Sequence, residues 1–263
     1  MMIDMKNFNQ FLIKSQRCMR VSLSKFRIKI QTSIIKNLGK KHNLYFCPCC
    51  GHSLTKFIDW SGSYRNVICP YCDSQPRHRA LTLLLKQKSN LDLNKPIKLL
   101  HIAPESSLRK IFDGKENIKY ITADLNDSAV DVKLDITQIP YDDNTFDVII
   151  CNHVLEHILD DRQAMRELLR VLKPNGWASL QVPIASDLEK TFEDATITSP
   201  EDRLRNFGQE DHVRWYGRDY PERLTEVGFS ITTENIAESL SSEKIEQYGL
   251  RSEEDLYFGT KAE

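Results

Sequence analysis

No run of about 18 or more uncharged apolar residues, the length a membrane-crossing helix needs, occurs anywhere in the 263-residue chain. The start also lacks the apolar core of a secretory signal, since its longest such stretch is "FLI" at 11–13, and the protein is expected in the cytosol. Acids are nearly missing from residues 1–42. Asp4 stands alone there against seven lysines and three arginines, a local balance of +9 in a chain whose net charge is −1. Glycine is missing from "KLLHIAPES" at 98–106, which excludes a glycine-rich phosphate cradle at that strand-to-helix turn. Neither disorder nor a fibrous class fits 40% hydrophobic and 28% charged residues.

What is present falls into four consecutive segments. Residues 1–42 read as a basic amphipathic arm in which Phe8, Phe11, Leu12, Met19, Leu23, Phe26 and Ile30 lie close to one helical face and Gly39 supplies a stop. Such a helix suits peripheral contact with an anionic membrane, contact with nucleic acid, or docking on the rest of the chain or a second subunit. Residues 43–75 carry Cys47 and Cys50 spaced C-x2-C, then Cys69 and Cys72 spaced likewise, with eighteen residues between the pairs. That spacing sets four thiolates around one Zn2+ ion, as a structural staple or as a recognition ribbon. Cys49 is an extra thiol, and Cys47 with Cys50, followed by Gly51, makes the better knuckle. Residues 76–96 form a linking helix with Pro76 in its first turn and Leu81, Leu84 and Leu85 as its stripe; Arg77, His78 and Arg79 are placed to touch phosphate or to pair with the acidic main domain.

From 97 to 263 short apolar strands alternate with helical stretches. This predicts an α/β class, a doubly wound, Rossmann-like, mostly parallel sheet with helices on both faces. The expected strands include "IKLLHIA", "KYITAD", "FDVIICN" and "WASLQVP", with "KPNG" as a turn before the last. Ligands in such sheets bind outside the carboxyl ends of the strands. Asp124 ends the second strand 21 positions after Ala103, a spacing suited to ribose hydroxyls. Asp135 follows a third short strand and suits an exocyclic purine amine, while Asn152 and His153 follow "FDVII".

The run "DVKLDITQIPYDDNTFDVIICNHVLEHILDDRQAMRELLRVLKPNGW" at 131–177, with "YITADLN" before it and "LTEVGF" after it, resembles class I S-adenosylmethionine-dependent methyltransferases, in particular the type 11 methyltransferase-domain group. The chain is also similar to a bacterial subgroup that joins such a domain to an N-terminal four-cysteine ribbon. The resemblance covers roughly 97–260 and implies S-adenosylmethionine as cofactor. It implies that Asp124 holds the ribose, that Leu125 belongs to the cofactor site, that Asp135 and Ile136 meet the adenine, and that Asn152 and His153 lie near the methionine end. The family has an acid and then glycines in the first loop, where this chain has His101, Ala103 and Glu105. The cofactor has no phosphate to cradle, so the expectation is a rebuilt, working loop in which Glu105 or a backbone carbonyl meets the ammonium.

Methyl transfer needs alignment, and a hydroxyl acceptor gains from a base. The candidates are His153 and His212, the latter equally suited to a structural hydrogen bond; His157 beside Glu156 reads as structural. Arg214, Trp215 and Tyr216 are expected to offer contacts to the acceptor. The main expectation is O-methylation of a small-molecule or glycan acceptor. The rivals are an RNA methyltransferase using ribbon and arm for recognition, and a non-catalytic binding protein.

Overall fold

The computed structural model describes residues 28–35, 44–60, 65–87 and 95–262, so most of the basic arm lies outside the described residues. In chain order the elements are α1 (28–35), β1 (Tyr45–Phe46), β2 (Ser53–Leu54), α2 (Pro76–Gln87), β3 (Ile97–Ile102), α3 (Ser106–Phe112), β4 (Ile118–Asp124), β5 (Val132–Lys133) and β6 (Phe146–Cys151). They continue with α4 (Asp161–Val171), β7 (Leu172–Ser179), β8 (Phe192–Glu193), α5 (Pro200–Phe207), β9 (Arg214–Trp215), α6 (Tyr220–Val227), β10 (Ser230–Glu234), α7 (Ser242–Tyr248) and β11 (Leu256–Thr260). Two compact units are formed, and neither is continuous in sequence. Among the described residues, one takes in those up to Leu83 with Ser106–Lys110 and Ala237–Glu254; the other takes in those from Leu84 to Glu105, Ile111–Ile236 and those from Asp255 on.

The larger unit is built on a seven-stranded sheet in the order β10-β11-β7-β6-β3-β4-β5. β3 to β7 run parallel, and β11 is inserted antiparallel to both β7 and β10. The central strands "IKLLHI" and "FDVIIC" are near-continuous apolar runs because both their faces are covered. Against them lies α4, capped by the Asp160 carboxylate on the Gln163 N–H, with Ala164, Met165, Leu168 and Val171 buried at helical spacing. Each such large side chain contributes about 1.5–3 kcal/mol by leaving water. Gly259 in β11 admits no side chain, since a Cβ there would stand 2.7 Å from the Phe229 ring.

The "KPNG" stretch differs from the expected turn. β7 already begins at Leu172, and the register jumps from Phe146↔Leu172 to Val148↔Trp177, so the four residues form a bulge inside the strand, with Asn175 at φ 60°.

The smaller unit contains the β1-β2 hairpin and the four cysteines. Ile35 of α1 is buried with Ile58 and Ile68, so this end of the arm is docked on its own unit.

Candidate functional site

β3 is the strand at which the order of the sheet reverses, with β4 and β5 on one side and β6 and β7 on the other. Crevices at such switch points are where open α/β sheets hold ligands. Ile102 pairs with Ala123 of β4 and with Cys151 of β6. The next residue on each strand therefore falls in one row along the carboxyl edge: Ala103, Asp124 and Asn152.

Each member of that row is held locally. Ala103 takes φ 46°, the left-handed region that favours glycine, so the chain turns as a glycine would while carrying a methyl group. Asp124 is half-buried, and its Oδ1 accepts from the Asn126 and Asp127 N–H groups, which fixes the carboxylate. Asn152 is buried, and its Oδ1 accepts from Ser179 Oγ. Leu125 is 57% exposed beside Asp124. Asp135 is exposed, with Oδ1 accepting from both the N–H and the hydroxyl of Thr137, bonds that hold its carboxyl below the usual range. Ile136 beside it is buried.

The loop without glycine is braced by a side-chain chain. His101 is fully buried; its Nδ1 lies 2.9 Å from Tyr120 Oη and its Nε2 lies 3.0 Å from Glu105 Oε2. One oxygen of Glu105 is thus engaged by His101 rather than by a ligand. His101 thus holds an acid four residues on in the chain.

His153 also lies at the carboxyl edge, at φ 53° and half-buried, with Nδ1 3.3 Å from Glu156 Oε1. His212 is buried with no hydrogen bond to Nδ1, and burial pulls its pKa down. Its ring stands edge-on to His157, centroids 4.7 Å apart. The structure thus brings His212 to the turn Leu155–His157 that follows β6.

The expected acceptor contacts are revised. Arg214 is buried, with Nη1 donating to the Leu155 and Ile158 carbonyls, Nη2 to that of Leu159, and Nε to Glu193 Oε2. Tyr216 is buried and donates to Asp161 Oδ2 at 2.7 Å, where Arg223 Nη2 also binds at 3.0 Å. These groups clamp the turn after β6 and the start of α4; they are not open to an acceptor. Trp215 is half-buried at their edge. Arg79, expected to touch phosphate or an acid, instead donates to the carbonyls of Val67, Ser74, Tyr248 and Gly249 and lies 3.9 Å over the Phe57 ring. Nothing in a linear sequence marks these arginines as buried, because their partners are up to 170 residues away.

In the smaller unit Cys47 Sγ lies 3.7 Å from Cys72 Sγ, and Cys50 Sγ lies 3.7 Å from Cys69 Sγ. Thiolates about 2.3 Å from a tetrahedral ion are about 3.8 Å apart, so the set fits one metal. The two knuckles repeat one another. Gly51 N–H donates to the Cys47 carbonyl and Asp73 N–H to that of Cys69, both at positive φ. Cys49 is turned out of the set, 3.2 Å from Thr82 Oγ1. Hydrogen bonds from the neighbouring thiols, Cys49 first, hold Cys47 well below the usual thiol range, and the same cluster pushes Cys69 up.

Residues 110–180 match the sequence model of the family described as "Methyltransferase domain". A ubiquinone/menaquinone biosynthesis C-methyltransferase of Idiomarina loihiensis is 37% identical over 65 residues, which is 24% of this chain and 26% of that protein. A glycine/sarcosine/dimethylglycine N-methyltransferase of Actinopolyspora halophila is 35% identical over 105 residues, 39% of this chain and 17% of that one. The chain therefore spans about a quarter or less of the length of these curated relatives. Among solved structures, the YcgJ protein of Bacillus subtilis is 18% identical with a TM-score of 0.46, over 71% of this chain and 99% of its own. The matched segment lies in the mostly parallel sheet of Rossmann-like order, so this part of the chain is similar to methyltransferase domains.

Proposed function

We propose that the chain is an S-adenosylmethionine-dependent methyltransferase acting on a hydroxyl of a small-molecule or glycan acceptor, with a structural zinc ion on Cys47, Cys50, Cys69 and Cys72. The observation that carries the reading is the row Ala103, Asp124, Asn152 at the switch point of the sheet. Asp124 offers a fixed carboxylate to the ribose, with Leu125 beside it. Asp135 and Ile136 offer an acceptor and an apolar wall to the adenine. The left-handed turn at Ala103 and the buried amide of Asn152 border the methionine end, and His101 with Glu105 keeps the loop in shape. When bound, the cofactor supplies a methyl group already activated on a sulfonium. The protein's task is then to align the acceptor and exclude water.

Oxygen is preferred as the acceptor atom because His153 stands half-exposed at that edge with a buried carboxylate 3.3 Å from Nδ1. A histidine oriented in this way accepts the hydroxyl proton on its outer nitrogen while the carboxylate stabilises the imidazolium. The test is calorimetric titration with S-adenosylmethionine and S-adenosylhomocysteine. Asp124→Asn keeps an oxygen for the turn but loses the charge, and is expected to weaken both ligands about 10-fold or more. Equal binding by wild type and variant removes Asp124 from the site, and no binding by wild type overturns the reading.

A further inference from the structure

The turn after β6 holds more than the His153–Glu156 pair that the proposed reaction uses. Glu156 is 1% exposed; its Oε1 faces His153 Nδ1 and His157 Nε2, but its Oε2 is buried with no hydrogen-bond partner. His212 Nδ1 is likewise buried and without one. Burying a carboxylate and an imidazole with lone pairs unanswered costs free energy, so such pairs of orphans mark something that binds between them.

The outer nitrogens of the two rings are tied down. His157 Nδ1 lies 3.4 Å from Asp211 Oδ2, which leaves Nε2 facing Glu156. His212 bonds the Phe207 carbonyl, and since Nδ1 has no partner that bond belongs to Nε2, leaving the Nδ1 lone pair inward. A carboxylate on one histidine and a backbone carbonyl on the other is the arrangement by which proteins fix metal-ligating imidazoles. A water molecule would answer the two orphan atoms, but it gives no reason for both rings to be tethered from behind. One ligand atom from each of Glu156, His157 and His212 lies within 4.8 Å of the others. Ligands about 2.0–2.2 Å from a tetrahedral ion stand about 3.3–3.6 Å apart, so loading asks for about 1.5 Å of closure at most. His157, with one side of its ring in solvent, can supply it. Arg214 does not neutralise Glu156, because its guanidinium is engaged by Asp161, Glu193 and three carbonyls.

We infer that Glu156, His157 and His212 form a second metal site, distinct from the four cysteines, that takes a divalent transition ion such as Zn2+. Two imidazoles and one carboxylate select such an ion over Mg2+ or Ca2+, which prefer oxygen ligands. Three protein ligands leave a position open, as in catalytic zinc sites. Resting on the methyltransferase reading, that open position lies beside His153 and takes the acceptor oxygen, whose proton the ion makes easier to remove.

The experiment counts zinc per chain after equilibration of the full-length protein with micromolar Zn2+, alongside titration with S-adenosylhomocysteine. Wild type is expected to hold two ions; His212→Gln and His157→Ala are expected to hold one, with the second bound at least tenfold more weakly. Because His157 is 30% exposed, its variant keeps the fold, which an unchanged melting curve in chelator verifies. One ion in the wild type, or two in both variants, overturns the site. Two ions lost as expected without cofactor binding would support the metal site and sink the methyltransferase reading; cofactor binding with a single ion would do the reverse.

Discussion

At Ala103 the chain holds an L-residue at φ 46°, where the Cβ crowds the following carbonyl. Ala103→Gly should therefore stabilise the larger unit by about 1 kcal/mol, and Ala103→Val should destabilise it by more than that, as read from denaturant midpoints. The loop is legible in outline from sequence, since a strand, a break and a helix are marked by "KLLHIAPES". Its bracing is not: the bonds from His101 to Tyr120 and Glu105 need the register of β3 against β4, which no local pattern states. The same holds at the carboxyl edge of the sheet. His153 is placed by its position after an apolar strand, whereas Arg214 and Tyr216 read as contact residues and prove to be buried partners of Asp161, 53 and 55 residues away.

Among the elements, α4 follows its signals closely: an acid at the cap, apolar residues at helical spacing and a basic residue in the last turn. It also secures the segment before β6. Glu167 accepts from the Ile139 N–H and from Arg170, whose own guanidinium reaches the carbonyls of Ile139 and Tyr141. The Arg170 hydrogen bond holds the Glu167 carboxyl below its ordinary value of 4.5. The folded state therefore binds this proton less readily than the unfolded chain, so the contribution is complete above pH 4.5 and is lost as pH falls through the lowered value. Thermal melting of wild type and Glu167→Gln should differ most at neutral pH and converge in acid. The neighbouring β7 departs from expectation for a physical reason. "KPNG" carries turn chemistry, but its flanks pair with β6 on both sides, so the turn is absorbed into the strand as a bulge.

For the molecule as a whole, the division into a four-cysteine segment and a sheet domain is readable from spacing and periodicity, yet the true units are interleaved. Tyr248 and Gly249, late in the chain, belong with the cysteines, because Arg79 donates to both of their carbonyls and Gly249 leaves room for the Phe57 ring where a Cβ would stand 2.5 Å away. Chelation of the zinc ion proposed for the four cysteines should thus speed hydrogen exchange at Gly249 and Leu250 together with Cys47 and Cys69, and leave the β3 and β6 amides slow. Arg79→Met should do the same with metal present, at a cost of about 3 kcal/mol or more to that unit. Deuterium uptake that rises only between residues 47 and 72 would contradict this. The arginine also bears on how the protein is made. A ribosome releases all four cysteines before Arg79, but two of the carbonyls that Arg79 needs emerge 169 and 170 positions after it. During synthesis the four-cysteine module is consequently finished only after that later segment has emerged, and until then only two of the four carbonyls bound by Arg79 are at hand.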